Sequence, residues 1–267
     1  MPHHISITDP DDPRLDDFRA IADPALLRTR GLFVAEGRLV VRRLLSEPSY
    51  RVRAVLVTAA AHGAVKDALA RRPDTHAYVV PLALIARITG FHIHRGCLAI
   101  GERPDTPDAA DLLVRRPRRL VVLEAVGNPD NVGGIFRNAL AFGSGGVVLD
   151  PASADPLYRK AIRVSSGAAL LVPYARARQW PAALRTIAAA GYGVVALTPA
   201  PDAADLEEAA GQWPADRPLA LLLGAEGAGL SSAALACADL HVRIRIDTAV
   251  DSLNVAVAAG IALHAFR

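Results

Sequence analysis

From residue 120 onward the chain alternates short apolar runs with helical patterns, and all but the last of those runs, which alternates with arginine, are largely continuous rather than apolar at every second residue. Leu219-Ala220-Leu221-Leu222-Leu223 is the clearest of them. A strand with one face in water alternates apolar and polar side chains, so a run with no polar member must be covered on both faces. That requires a parallel sheet with helices packed on either side. Further strands are predicted at 120–125, 146–150, 193–197 and 242–246, with helices at 132–142, 158–165, 181–190, 231–236 and 253–266. Upstream, strands at 32–35, 52–57, 77–80 and 97–100 alternate with helices at 38–45 and 61–71, which makes a smaller α/β module. The expected class is therefore α/β throughout.

Between the two patterns lies E-R-P-D-T-P-D-A-A-D-L-L-V-R-R-P-R-R, rich in proline and charge. It is read as a linker, giving a domain at 1–103, a linker at 104–117 and a second domain at 118–267. With 52% hydrophobic residues in 267, both halves have ample material for a core. No apolar stretch is long enough for a membrane span and the N-terminus has no secretory pattern, so a cytoplasmic protein without membrane attachment is expected. Cys97 and Cys237 stand alone in apolar contexts and are read as core residues; no metal site is suggested. The net charge of +3 divides unevenly, +4 over 1–103 and −1 over the remainder. Arg28/Arg30, Arg42/Arg43, Arg51/Arg53 and Arg71/Arg72 are either a nucleic-acid face or a solvated surface.

Ligands of such sheets bind beyond the C-terminal ends of the strands, and three loops at those ends are unusual. The first reads G-N-P-D-N-V-G-G-I-F-R-N-A-L-A-F-G from Gly127. In it Asn131 is the expected helix cap, Gly133 and Gly134 allow close backbone approach, and Arg137 lies about one and a half turns inside the helix. An arginine there either meets an anion or is exposed. The second, Gly224-Ala225-Glu226-Gly227-Ala228-Gly229-Leu230-Ser231, sets one carboxylate among three glycines. It is neither a Walker loop nor a dinucleotide fingerprint. The third, R-I-R-I-D-T-A-V-D-S-L-N-V-A-V-A-A-G-I from Arg243, runs from an alternating strand into an apolar helix, with Asp251 or Ser252 as the expected cap.

In this order and together, the three blocks resemble the motifs of the SpoU/TrmH family, the RNA ribose 2′-O-methyltransferases of the SPOUT superfamily. The resemblance covers about residue 120 to the C-terminus. Gly31–Gly37, G-L-F-V-A-E-G, with the helix after it, is similar to the family's substrate-binding domain, a ribosomal-protein-like module. The resemblance implies a C-terminal domain tied in a deep trefoil knot, dimerisation through that knot, S-adenosylmethionine as methyl donor, and an RNA substrate, ribosomal or transfer. It implies that Gly224, Ile244 and Leu253 hold the cofactor through backbone groups, with Ile246, Ala196, Leu197 and Thr198 lining the same pocket. It makes Arg137 the catalytic arginine, with Asn131, Glu226, Ser252 and Asn254 around it. Arg137 then acts on a substrate phosphate and developing alkoxide, or as the proton acceptor itself.

Two departures stand out. Where the third block often reads Ile-Pro-Met, this chain has Ile244-Arg245-Ile246, and Thr248 and Ala249 replace glycines. The stretch R-K-A-I-R-V-S-S-G-A from Arg159 keeps the family's basic and Ser-Gly-Ala character, and is either close to RNA or an ordinary basic helix. The alternatives are a methyltransferase of the same fold acting on another RNA position and an RNA-binding protein of that fold without activity.

Overall fold

A computed structural model describes residues 4–22, 24–90, 93, 96–247 and 249–267. In chain order the elements are β1 (His4–Ser6), α1 (Asp16–Arg19), α2 (Pro24–Thr29), β2 (Leu32–Glu36), α3 (Arg38–Ser46), β3 (Val52–Val57), α4 (Ala59–Leu69), β4 (His76–Val79), α5 (Leu82–Thr89) and β5 (Cys97–Glu102). They continue as α6 (Ala109–Leu113), β6 (Arg119–Leu123), α7 (Pro129–Ala141), β7 (Gly146–Leu149), α8 (Arg159–Val164), β8 (Tyr174–Arg176), α9 (Ala182–Ala189) and β9 (Gly193–Leu197). The chain closes with β10 (Ala204–Asp205), α10 (Leu206–Gly211), β11 (Leu219–Leu223), α11 (Ser232–Leu235), β12 (Leu240–Arg243) and α12 (Val255–Ala265).

These elements form two compact units: Met1–Asp105 with Leu157–Leu171, and Thr106–Pro156 with Val172–Arg267. The first is built on a five-stranded mixed sheet in the order β1-β4-β3-β5-β2, with β5 antiparallel to both its neighbours. Its core gathers Phe18, Leu56, Tyr78, Ile85, Leu98 and Ile100. Cys97 is buried there, and burial pushes its thiol up to about 12, so it behaves as a small apolar residue. Within this unit α8 packs on β2.

In the second unit seven parallel strands run in the order β10-β12-β9-β11-β6-β7-β8. All five residues of β11 are buried, as an all-apolar central strand demands. Alternate residues divide between the two faces: Leu120, Val122, Ala220 and Leu222 join the cluster with Leu112, Leu184 and Ile187 of α6 and α9, while α7 and α12 pack against each other. From β6 the chain moves outward to β7 and β8; from β11 it moves the other way to β12. The connections therefore lead to opposite sides from β6 and β11, and at such a switch a parallel sheet opens a crevice at its C-terminal edge.

Three expectations change. The 104–117 stretch is not bare linker: Ala109, Leu112 and Leu113 form the buried stripe of α6, closed by a capping box between Asp108 and Asp111, a pattern its prolines and charges obscure. The last strand ends at Arg243 rather than 246, because the chain beyond it leaves the sheet. Leu157–Leu171 groups with the first unit although it lies far along the sequence. Among the described residues no helix is long and apolar enough to cross a membrane.

Candidate active site

Asn128 and Pro129 set the start of α7. The Asn128 side chain accepts from the Asp130 amide, and proline, whose φ is preset and whose missing N–H is not needed in the first turn, occupies the first helical position. Asn128 is thus the cap that was expected at Asn131, and Arg137 lies a little over two turns in, not one and a half. Val132, Ile135, Phe136 and Ala139 are buried, so the helical period turns Arg137 outward. Of the two readings of Arg137, exposure is the one observed. Among the described residues it has no ion pair or side-chain hydrogen bond, and its guanidinium is available to an incoming anion.

Helix α12 approaches α7 closely because both carry glycine at the crossing. A Cβ on Gly134 would lie 2.7 Å from that of Ala256, and one on Gly260 would lie 3.0 Å from the Asn138 amide. Asn138 Nδ2 donates to the Ala256 carbonyl at 2.6 Å, which fixes the first turn of α12. That turn is capped by Asn254, not by Asp251 or Ser252: its Oδ1 accepts from the Ala256 and Val257 amides at 3.0 and 3.3 Å.

The other end of the same side chain joins the three loops. Asn254 Nδ2 donates to Asn131 Oδ1 at 2.9 Å and to Glu226 Oε1 at 2.8 Å. An amide has two N–H donors and one carbonyl oxygen, so every bond Asn254 can readily make is used. Its orientation follows, since the backbone amides it meets only donate and the Glu226 oxygen it meets accepts. Asn131 is 5% exposed, and this bond satisfies its buried oxygen.

Glu226 is held out at the tip of a folded-back loop. Ala225 and Gly229 pair across it, the Gly229 amide donating to the Ala225 carbonyl at 3.0 Å, and Gly227 and Gly229 adopt φ of 82° and 67°. A side chain at 224 would strike the Gly229 backbone, so only glycine closes this cradle. Ala196 is buried and Leu197 half-buried at the end of β9, Thr198 is half-buried just beyond it, Ile244 is half-buried after β12 and Leu253 half-buried ahead of α12; Ile246 is exposed. The Thr198 amide donates to the Val242 carbonyl, tying the ends of β9 and β12. Ser252 is exposed and makes no side-chain hydrogen bond among the described residues. Thr248 lies outside the described residues. Main-chain groups, small residues and aliphatic walls at strand ends suit a nucleoside held by its edges, the donor set S-adenosylmethionine would need.

Glu124 was not among the predicted residues. It stands at the C-terminal end of β6, 6% exposed, and accepts from Trp180 Nε1 at 2.6 Å, the Ser231 amide at 2.8 Å and Ser231 Oγ at 2.7 Å. It therefore fastens the glycine loop's exit across the crevice between β6 and β11. The signal was a single carboxylate ending an otherwise apolar strand, L-V-V-L-E. A cavity of about 620 Å³ lies beside α10 and α12, but of the predicted residues only Ile244 lines it.

The first unit spends most of its paired arginines on itself. Arg72 donates to the carbonyls of Leu45, Glu47 and Tyr50, and Arg43 to that of Ser166. Arg30 and Arg53 pair with Asp17, and Arg51 and Arg53 with Glu102. Arg28, Arg42 and Arg71 remain exposed without an ion pair among the described residues; Arg42 and Arg71 line one groove between α3 and α4.

A parallel sheet with a glycine cradle and a polar junction at its C-terminal edge defines an α/β enzyme that binds its ligand beyond the strand ends. The family is more specific: the chain belongs to the SpoU rRNA Methylase family, whose model matches residues 118–264. An uncharacterized tRNA/rRNA methyltransferase of Mycobacterium tuberculosis is 44% identical over 262 residues, 97% of this chain and 90% of that one. The AdoMet-bound rRNA methyltransferase of Sinorhizobium meliloti is 27% identical and superposes with a TM-score of 0.83 over 99% of this chain and 97% of that one. The SpoU methyltransferase AviRb of Streptomyces viridochromogenes, in complex with AdoMet, matches at 24% identity and TM-score 0.80 over 96% and 97%, a likeness of fold.

Proposed function

We propose that this chain is an S-adenosylmethionine-dependent RNA methyltransferase that methylates a ribose 2′-hydroxyl of ribosomal or transfer RNA. The observation that carries the reading is the Asn254 amide, which ties Asn131 of the first loop and Glu226 of the second to the start of α12. A fold kept only for binding has no evident use for that junction together with an exposed arginine on the same helix as Asn131 that has no ion pair among the described residues.

When bound in the cradle of Gly224, Ile244, Leu253 and the 196–198 strand end, S-adenosylmethionine supplies a methyl group on a sulfonium, already an excellent leaving group. Arg137 binds the substrate phosphate and stabilises negative charge as the 2′-oxygen attacks. A guanidinium offers N–H donors and no acceptor, so the hydroxyl proton passes to that phosphate rather than to Arg137. Glu226 and Asn254 keep the glycine loop and the head of α12 in register, and exposed Ser252 orients the ribose hydroxyl.

A homodimer joined through α7 and α12 is part of the reading. Val257 and Ile261, one turn apart on α12, are 52% and 41% exposed, and Leu140 on α7 is 37% exposed, a costly display for a chain alone in water. The deep knot belongs to the reading as well: after β12 at the sheet's far side the chain returns to lay α12 on α7. The first unit, with Arg28, Arg42 and Arg71, serves as the RNA-binding domain.

Arg137→Ala tests the assignment of chemistry. The expected result is a kcat on the RNA substrate lowered about 10²–10³-fold, with S-adenosylmethionine affinity within twofold of wild type. Methylation at the wild-type rate would refute the role.

A further inference from the structure

The chain beyond Arg243 leaves the sheet, and among the described residues no backbone amide of 244–247 donates to another strand. Yet this is the segment that carries Ile244 and Ile246. A side chain ties it to α10 instead. Arg245 Nε lies 2.6 Å from Asp205 Oδ2, and Arg245 Nη2 lies 3.1 Å from Glu208 Oε1. Asp205 is a rigid anchor: its side chain is only 11% exposed, and it caps α10 by accepting from the Glu207 and Glu208 amides at 3.0 and 3.3 Å. One fork of a guanidinium therefore spans the two carboxylates at the head of α10.

We infer that Arg245 is a positioning residue for the cofactor: its ion pairs to α10 fix the path of 244–247, and with it the backbone of Ile244. The inference rests on the cofactor reading above. It accounts for the departure in the third block, since the pairs restrain a segment that a proline would restrain by its fixed φ. Arg245 is 69% exposed at its side chain. Such a pair is screened by salt, and that gives the clamp a signature that a purely packing role lacks.

The test is calorimetric titration with S-adenosylhomocysteine, which has no net charge, in the absence of RNA. Arg245→Ala and Asp205→Asn, the latter keeping the helix cap, should each weaken binding about fivefold at 50 mM KCl. The double variant should be no weaker than Arg245→Ala, because that single substitution already removes the pair to Asp205 along with the one to Glu208. In 1 M KCl the wild type should fall to the level of Arg245→Ala, whose own affinity should not change with salt. In methylation assays KM for the methyl donor should rise while kcat holds. Variants that bind as the wild type does, with its salt response, would overturn the clamp while leaving the cofactor reading standing. A wild-type protein that binds no S-adenosylhomocysteine would overturn both.

Discussion

Asn254 concentrates the chemistry of the site into one amide. It caps a helix with its oxygen and joins two loops with its nitrogen, so the two functions separate on substitution. Asn254→Asp keeps the cap, since aspartate caps as well as asparagine, but sets a second carboxylate against Glu226. The variant should lose at least about tenfold in methylation at pH 8. Repelling carboxylates bind a proton more readily, so its activity relative to wild type should recover as pH is lowered toward 6. A pH-rate profile checks this; a ratio flat in pH would contradict it. At this scale the sequence was informative about which residues matter and less so about what they do. Asn128 and Asn131 are both good caps; Pro129 decides for Asn128, because proline suits the first helical position. Ser252 is likewise displaced by Asn254. Glu124 escaped notice because its purpose depends on Ser231 and Trp180, which are remote in sequence.

Elements show the same division between local and remote causes. Strands at 193–197 and 219–223 fall where continuous apolar runs place them, and the one at 52–57 where a run broken only by Arg53 does. Short β8 and β10 and helices α5 and α6 carry too few residues, or too much proline and charge around them, to announce themselves. The pairing of α7 with α12 is invisible in either segment alone, although its glycines are plain. Their role gives a prediction with opposite signs at two helical glycines. Gly134→Val drives a side chain into Ala256 and should cost about 2 kcal/mol. Gly63→Ala in α4, where nothing lies within 4 Å, should add up to about 1 kcal/mol by helix propensity. Denaturant melts of both variants read the difference directly; equal effects would mean the crossing is looser than described.

For the molecule as a whole, parallel topology places the loops after β6, β9, β11 and β12 along one edge, and sequence blocks up to 123 residues apart meet there through Asn131 and Asn254. The alternation of apolar runs and helices was enough to read this class of sheet, whereas the grouping of Leu157–Leu171 with the first unit was not, since no local pattern encodes a partner so distant in sequence. Membership of the SpoU rRNA Methylase family fits the same edge with a methylation function. The most direct test of that function is a transcriptome-wide map of RNA ribose 2′-O-methylation in cells with and without the gene. At least one methylated site should vanish on deletion and return with the wild-type gene but not with Arg137→Ala. Loss of a base methylation instead, or of no site at all, would contradict the account.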